Sequence, residues 1–389
     1  MNLPFSILCA KDLLSSNTYI YPMLKAYQYR LYPTKAQVST LNRTFDLCRK
    51  VYNNTLALRR DAWDYDQKSL TFFDTTKDLL VWKQEFPQLK EVHSQVLQNV
   101  QVRVDLAFKA FFQRAKKGCN PGYPRFKSFG RYDSITYPQA GFSLDVANQT
   151  ITASKIGKIK AVIHRPCEGK IKTMTIRRSI TGKWYVSFAV EQDLVVREHV
   201  GDEATGIDLG LTTFAMLSNG EKIENPRFFK TDENALAKAQ RRMSKEAKGT
   251  PERRVRRMVV SKIHERIANR RKNFVHHESK KLVERFKTIA FENLNIKHMQ
   301  QTSFLAKCIA DASWGMMVRT TENKAVEAGS RVVLVNPKNT TQFCSRCGLY
   351  VRKELSDRIH SCPQCGLVMD RDQNAAINIL RLGLQSLSA

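Results

Sequence analysis

Four cysteines near the C-terminal end have the spacing of a metal site. They form two CxxC pairs separated by 14 residues, with a glycine directly after the second cysteine of each pair: Cys344, Cys347, Cys362 and Cys365. Paired thiolates at this spacing indicate a tetrahedral, structural Zn²⁺ site with no open position for water. We expect the clip to fold a loop that lacks its own core and to contact nucleic acid, with His360 at the surface or outside the thiolate shell.

Three carboxylates lie where elements of the chain begin or end. Asp208 interrupts the apolar strand GIDLGL, Glu292 follows the apolar run TIAF, and Asp372 lies in the first turn of the last helix. An unpaired carboxylate in an apolar strand is costly to bury, so we expect a cation beside Asp208. Three such acids suit two Mg²⁺ ions about 3.5–4 Å apart, which activate a water and stabilise the leaving oxygen of a phosphodiester.

The acid at position 372 has a second explanation. An acid in the first turn of a helix interacts favourably with the helix dipole, and for Asp372 alone this explanation is as good as metal binding. Asp370 and Gln373 have the spacing of a capping box, an N-cap acid with a reciprocal Gln three residues later. This spacing predicts that Asp370 is the structural acid, which leaves Asp372 free for another role.

The charge of the chain points to a polyanionic partner. Sixty-four Lys and Arg face 36 Asp and Glu, a formal charge of +28, and nucleic acid is favoured over a membrane surface because the basic helices carry no large Trp/Leu face. No stretch supplies the roughly 18 continuous apolar residues of a membrane helix, so we expect a soluble chain. Nine cysteines with two CxxC pairs indicate metal chemistry in a reducing compartment, and most of the scattered ones are expected to be buried thiols: Cys9, Cys48, Cys119, Cys167 and Cys308.

Two basic segments are candidates for contacts with nucleic acid. Residues 238–272 contain 14 Lys or Arg and three Glu, and a purely solvated helix would have more balanced signs. The candidates there are Arg241, Arg242, Arg253, Arg254, Arg256 and Arg257. The loop at 114–131 has no acidic residue and three aromatic ones, which suits phosphate contacts with aromatic support, although a plain solvated loop is the alternative. Its candidates are Lys116, Lys117, Arg125 and Lys127.

The pattern of apolar residues predicts two modules. The first has a strand at 24–32, helices at 34–62 and 88–117, and β structure over 141–200 that forms a small barrel or sandwich with a hairpin at SITGK. The second begins with a hairpin at Asn219–Gly220 and forms a mixed sheet of the RNase H type. Its further elements are helices at 231–248 and 252–284, a strand at 286–292, a helix at 303–328, a strand at 331–336 and the last helix. Residues 1–22 show no clear period and lack the pattern of a signal peptide, which predicts a disordered extension ahead of a natural start at Met23.

With GIDLGL, FENLNI, the CxxC pairs and DRDQNAAINIL in this order, the chain resembles the TnpB family, transposon-encoded RNA-guided nucleases related to type V CRISPR effectors. The resemblance covers nearly the whole chain from Met23. It implies a RuvC-like active site of Asp208, Glu292 and Asp372, with a zinc-binding insertion between the last core strand and the helix that brings the third acid. It also implies cleavage of DNA that is selected by pairing with a guide RNA, beside a short target-adjacent motif.

The resemblance implies an α+β multidomain layout. A β-barrel-like, WED-type module at 23–200 carries a REC-type helical insertion at about 34–135, and a RuvC-like domain at 201–389 carries the Cys₄ zinc finger at 340–369. The implied cofactors are two Mg²⁺, with Mn²⁺ as a substitute, one Zn²⁺ and the guide RNA. The implied partners are that RNA and double-stranded target DNA, for a monomeric protein with one RNA in the prokaryotic cytoplasm at the nucleoid.

Two other functions stay open at this stage. One is a guided DNA-binding repressor that has lost cleavage, although all three acids stand here. The other is a DNA transposase or resolvase that acts without RNA, since charge alone does not distinguish RNA from DNA. Recognition of the target-adjacent motif falls to the N-terminal module, where Tyr52, Asn53 and Asn54 are either contacts or plain surface.

Overall fold

The computed structural model describes residues 20–195, 199–302, 305–354 and 356–388. Two compact units divide the chain, one of Pro22–Asp193 and one that holds Leu194–Ala389. The predictions for Cys9 and for the extension up to residue 19 lie outside the described residues. Residues 20–22 were expected in that extension, but they belong to the first strand.

A seven-stranded antiparallel sheet forms the centre of the first unit. Its strands are β1 (Ile20–Tyr32), β2 (Ser134–Tyr137), β3 (Phe142–Asp145), β4 (Thr150–Ala153), β5 (Gly157–Val162), β6 (Lys170–Arg178) and β7 (Trp184–Val195), in the order β2-β6-β7-β1-β5-β4-β3. The rings of Phe142 on β3 and Phe188 on β7 lie 6.3 Å apart although three strands separate them in the sheet. The sheet therefore curls around its apolar side chains into the predicted barrel-like form, and SITGK is the turn between β6 and β7.

Helices α1 (Lys35–Asp66), α2 (Phe72–Glu85) and α3 (Ser94–Lys116) follow β1 in the chain. The Thr34 hydroxyl accepts from the Gln37 backbone N–H, and the Gln37 side chain accepts from the Thr34 N–H, so α1 begins with a capping box. The helix predicted at 88–117 is α3, and it begins later, at Ser94, because Pro87–Glu91 forms a separate 3₁₀ turn.

The second unit contains a mixed five-stranded sheet. Its strands are β8 (Ala204–Leu209), β9 (Thr213–Leu217), β10 (Lys222–Glu224), β11 (Thr288–Glu292) and β12 (Arg331–Val335), in the order β10-β9-β8-β11-β12. β8, β11 and β12 are parallel, and β9 and β10 pair antiparallel. This is the mixed sheet that the apolar pattern predicts, and Gly220, at φ +90°, makes the predicted turn between β9 and β10.

The helices of this unit are α4 (Phe228–Ser244), α5 (Pro251–Arg285), α6 (Ile296–Thr302), α7 (Ala306–Ala312), α8 (Trp314–Ala328) and α9 (Arg371–Ser388). The single helix predicted at 303–328 is wrong: Ser313 has φ +58°, which ends α7 and starts α8. A short hairpin of β13 (Ile359–Ser361) and β14 (Val368–Asp370) precedes α9.

The sheet of the second unit has two different faces. Ile207 and Phe291 are register partners on β8 and β11 and point into the apolar core. The alternate positions face α9, and here the residues are small: a Cβ on Gly206 would lie 2.1 Å from the Ala376 carbonyl oxygen. Ala290 is the register partner of Gly206, and a Cβ on Gly383 would lie 2.7 Å from that of Ala290. The missing side chains thus allow α9 to lie directly on the strands.

Candidate functional site

Asp208 and Glu292 are neighbours on the sheet. The last register pair between β8 and β11 is Ile207 with Phe291, so the next residue of each strand is one of the two acids. Adjacent strands lie about 4.8 Å apart and in-register residues of a parallel pair share a face. The two acids therefore lie side by side on the face that α9 covers, each two residues beyond Gly206 or Ala290 on its strand.

The beginning of α9 brings the third acid to this edge. Asp370 Oδ1 accepts from the backbone N–H groups of Asp372 at 2.8 Å and Gln373 at 3.4 Å, which confirms it as the N-cap. Its other oxygen pairs with Lys222 Nζ at 3.2 Å. The Gln373 side chain does not make the reciprocal hydrogen bond of the predicted capping box, and its amide lies against Gly220 instead. Asp372, one turn ahead of the residue that touches Gly206, is thereby left to face the carboxylates of the sheet.

The electrostatics show that the acids act on one another. Burial, and then the charges of Glu292 and Asp372, raise the pKa of Asp208 to about 8, while Arg371 works in the opposite direction. Arg371 also donates to Asp372 Oδ1 through Nε at 3.1 Å and Nη2 at 3.0 Å. The cation expected beside Asp208 is thus present but does not balance the acids. At neutral pH the metal-free site keeps a proton on Asp208, which a divalent cation could replace.

Glu292 has a partner that the sequence did not reveal. Burial raises its pKa, and the Thr340 hydroxyl, which donates to Glu292 Oε1 at 2.5 Å, works against that rise. All three acids keep part of their surface accessible. In the described part of the chain, the four thiols are the one group whose ligand atoms all lie within 4.8 Å of one another. The oxygens of the three carboxylates do not meet this limit, so they are more widely spaced than the thiols. That spacing suits Mg²⁺, which keeps several of its waters and takes few protein ligands.

The four thiols have the arrangement of one tetrahedral metal site. Sγ of Cys344 lies 3.6 Å from that of Cys365, and Sγ of Cys347 lies 3.5 Å from that of Cys362. A zinc ion with Zn–S bonds of about 2.3 Å requires S···S distances near 3.8 Å, whereas a disulfide would require about 2.05 Å. The four sulfurs therefore fit zinc.

The two knuckles have the same backbone geometry. In the first, Cys344 N–H donates to the Leu349 carbonyl at 2.9 Å and Gly348 N–H to the Cys344 carbonyl at 3.0 Å. Cys362 and Gly366 repeat both distances in the second. The two glycines have φ of +77° and +68°, a conformation that favours glycine. The glycine after each pair is thus a feature of the metal-binding turn.

The sequence allowed a surface position for His360, but the residue is buried. It lies on β13 opposite Met369 and is 0% exposed. Within the described residues neither of its ring nitrogens has a hydrogen-bond partner. Burial, together with the charge of Lys353, lowers the pKa of His360. This buried position therefore favours the neutral form of the ring.

Two buried amides on α9 hold the segment that leads into the clip. Asn374 Nδ2 donates to the Phe343 carbonyl at 2.8 Å, and its Oδ1 accepts from Ser345 N–H at 2.9 Å. Asn378 Nδ2 donates to the carbonyls of Thr340 at 2.9 Å and Phe343 at 2.8 Å. Sequence reasoning missed these residues, and the signal was two amides four residues apart on one helix. The clip and the third acid are adjacent because α9 holds both.

The basic loop of the first unit presents its candidates to solvent. Lys116, Lys117, Arg125 and Lys127 are exposed, as are the rings of Phe126 and Phe129. Asn53 anchors this loop, since its amide bonds both the N–H and the carbonyl of Lys127, at 2.8 and 3.0 Å. Tyr52, which was considered as a contact or as surface, is buried in the core instead.

The arginines of α4 and α5 divide into two groups. Arg253 donates to the carbonyls of Met243 at 3.0 Å and Glu246 at 2.6 Å, so it caps the C-terminal end of α4. Its guanidinium therefore has a structural role. Arg256 lies 3.6 Å from the Glu246 carboxylate. The remaining candidates are exposed and have no ion pair within the described ranges: Arg241, Arg242, Arg254 and Arg257.

The scattered cysteines are less buried than expected. Cys48 is buried and Cys167 is half-buried, but Cys119 and Cys308 are exposed, so the expectation of buried thiols is wrong for these two. No helix in the described ranges is long and apolar enough to cross a membrane.

Three family profiles match successive parts of the chain. Residues 23–68 match a helix-turn-helix domain of IS605 OrfB proteins, residues 187–303 the IS605 OrfB profile described as "Probable transposase", and residues 314–379 a "Cas12f1-like, TNB domain". In the structure, residues 23–68 contain one strand and the single helix α1 rather than two short helices.

Two relatives match over most of the chain. A protein of Streptomyces pristinaespiralis named "Putative RNA-guided DNA endonuclease" is 35% identical over 92% of this chain and 89% of its own length. Escherichia coli InsQ, with the same description, is 29% identical over 92% of both chains. A solved structure titled "Structure of the mini-RNA-guided endonuclease CRISPR-Cas_phi3" covers 93% of this chain and 92% of its own at 9% identity, with a TM-score of 0.53, and is similar in fold.

Proposed function

Because this chain belongs to the TnpB family, the IS605 OrfB proteins, we propose that it is an RNA-guided DNA endonuclease whose catalytic acids are Asp208, Glu292 and Asp372. The observation that carries the proposal is the meeting of these acids at one edge of the β8–β11 pair, beneath the beginning of α9. A partly buried group of acids that raise one another's pKa is typical of a catalytic site and is not required for DNA binding alone. Relatives named as RNA-guided endonucleases supply the substrate class.

The three acids fit a pair of Mg²⁺ ions, or Mn²⁺ in their place. Bound there, the ions would activate water and stabilise the leaving oxygen of a phosphodiester. Asp208 would give up its proton on binding of a cation, while Glu292 accepts a hydrogen bond from Thr340 and Asp372 accepts from Arg371. No basic side chain is needed to accept the proton of the water. The same site would cut both DNA strands in turn.

The rest of the chain supplies nucleic-acid binding and stability. We assign residues 201–389 to a RuvC-like nuclease domain with a Cys₄ zinc insertion at 340–369, and residues 23–200 to binding of the guide RNA and the target-adjacent motif. Base pairing with the guide selects the DNA, and exposed arginines contact the backbones. The basic loop of the first unit, with its exposed rings, suits the same task. The working form is one protein with one RNA at the nucleoid.

Cleavage of a guide-matched duplex tests the proposal. Asp208→Ala and Glu292→Ala should abolish cutting in Mg²⁺ while the guide RNA stays bound. Asp370→Asn is the matched control, because Asn caps a helix as well as Asp does and the variant should still cut. Persistent cutting by either alanine variant would refute the site. Guide-dependent binding by the parent chain without cutting would support a repressor, and guide-independent cutting would support a DNA-only enzyme.

A further inference from the structure

Thr340 contacts the candidate catalytic acid Glu292 directly. Its hydroxyl lies 2.5 Å from Glu292 Oε1 and 3.2 Å from the Pro337 carbonyl, and the residue is 3% exposed. A hydroxyl has one proton to donate. Of the two acceptors, the Glu292 carboxylate is both nearer and stronger than the Pro337 carbonyl. The proton therefore goes to Glu292. A carboxylate oxygen has two lone pairs, so Oε1 can accept this bond and still bind a cation.

The backbone of Thr340 is held by the same helix that carries Asp372. Asn378 Nδ2 has two protons and two acceptors, the carbonyls of Thr340 and Phe343. Asn374 holds Phe343 and the N–H of Ser345, the residue that follows the first cysteine of the clip. Asn374 and Asn378 are 0% and 1% exposed. A chain of hydrogen bonds that are buried or partly buried thus runs from Ser345, beside the first cysteine, through α9 and Thr340 to the carboxylate.

We propose that Thr340 is a positioning residue for the metal-binding carboxylate of Glu292, and that Asn378 of α9 holds Thr340 in place for this task. The inference rests on the proposed function. Glu292 is the last residue of β11, and pairing with Val335 of β12 fixes its backbone but not the rotamer of its side chain. A hydrogen bond to one of its oxygens removes alternative rotamers before a cation arrives. Hydrogen bonds that orient metal ligands in this way typically change metal affinity 10- to 100-fold when lost.

The test compares Thr340→Val, which has the same shape without the hydroxyl, with Thr340→Ser, which keeps it. Thr321→Val is the matched control, since Thr321 is also buried and its hydroxyl donates only to the carbonyl of Met317 in its own helix. Binding of Mn²⁺ to the zinc-loaded full chain, free of nucleic acid, is measured by electron paramagnetic resonance. The sites of interest are those that Asp208→Ala removes.

We expect Thr340→Val to weaken these Mn²⁺ sites about 10- to 100-fold and to raise the Mg²⁺ concentration for half-maximal cleavage similarly. Thr340→Ser should restore both, and Thr321→Val should change neither. Mn²⁺ binding by Thr340→Val equal to that of the parent chain would overturn the inference, as would a Thr340→Ser variant that behaves like Thr340→Val.

The link to α9 is tested by Asn378→Ala in a double-mutant cycle. If Asn378 acts through Thr340, its loss should weaken Mn²⁺ binding in the parent chain and have little further effect in Thr340→Val. Additive losses would overturn that link. The controls separate two kinds of failure. If Asp208→Ala changes neither Mn²⁺ binding nor cleavage, the proposed function fails; if it abolishes both while Thr340→Val matches the parent, only this inference fails.

Discussion

Asp208→Asn should stabilise the metal-free chain although it removes a proposed catalytic group. Burial, Glu292 and Asp372 raise the pKa of Asp208 from 3.8 to about 8 in the folded chain, whereas in the unfolded chain the same carboxyl ionises near 4. Between these values the folded state binds a proton that the unfolded state does not. The free energy of unfolding therefore falls as pH rises from about 4 to about 8, and the neutral amide of Asn escapes this loss.

The size of the effect follows from the two pKa values. Each pH unit between them is worth about 1.4 kcal/mol, which sets an upper limit of about 5 kcal/mol at pH 8. Water reaches part of the carboxyl and the neighbouring acids titrate with it, so we expect a gain of about 2 kcal/mol, within the usual range of single substitutions. For a unit the size of residues 194–389, this raises Tm by about 4–8 °C.

Calorimetry without Mg²⁺, with zinc retained, at pH 5.5 and 8.5 provides the assay. The gain should be largest at pH 8.5 and less than half as large at pH 5.5. Asp311→Asn is the control with the opposite sign, because that carboxylate binds Arg271 at 2.6 Å and the Phe229 N–H at 2.9 Å. A destabilised Asp208→Asn variant, or a gain that does not grow with pH, would refute the reasoning. Added Mg²⁺ should stabilise the parent chain and not the variant.

Two further substitutions test other parts of the structure. Cys347→Ser should release zinc and lower Tm by more than about 5 °C; an unchanged melting curve in zinc-free protein would show that the clip is not structural. Gly206→Ala should cost about 3 kcal/mol, the upper end of the usual range for overpacking, because the new Cβ meets the Ala376 carbonyl oxygen at 2.1 Å. Gly201→Ala, whose Cβ has no neighbour closer than 3.7 Å, should melt normally, and equal melting of the two variants would contradict the packing of α9 on β8.

The parts that sequence reasoning predicted have local causes. Apolar runs predicted β8 and β11. Asp208 within the first run and Glu292 directly after the second could be identified without knowledge of distant residues. The N-cap role of Asp370 follows from spacing within one helical turn. The cysteine spacing predicted the four-thiol cluster for the same reason.

The missed features depend on residues far apart in the chain. Thr340 contacts Glu292 across 48 positions, and no local pattern marks it. Asn378 contacts Thr340 across 38 positions, and its four-residue spacing from Asn374 does not reveal that partner. Arg253 looked like one of a row of basic residues, yet it faces the open carbonyls at the end of α4. The break at Ser313 also escapes prediction, because no Gly or Pro lies between α7 and α8.

Sequencing the RNA that co-purifies with the chain, after expression together with its native flanking DNA, tests guided cleavage most directly. We expect one discrete RNA with a structured body and a 3′ segment drawn from the sequence beside the transposon that encodes the chain. That segment would define the duplex for the cleavage assay. A folded, zinc-loaded chain that carries heterogeneous RNA or none would contradict RNA guidance and favour an enzyme that acts on DNA alone.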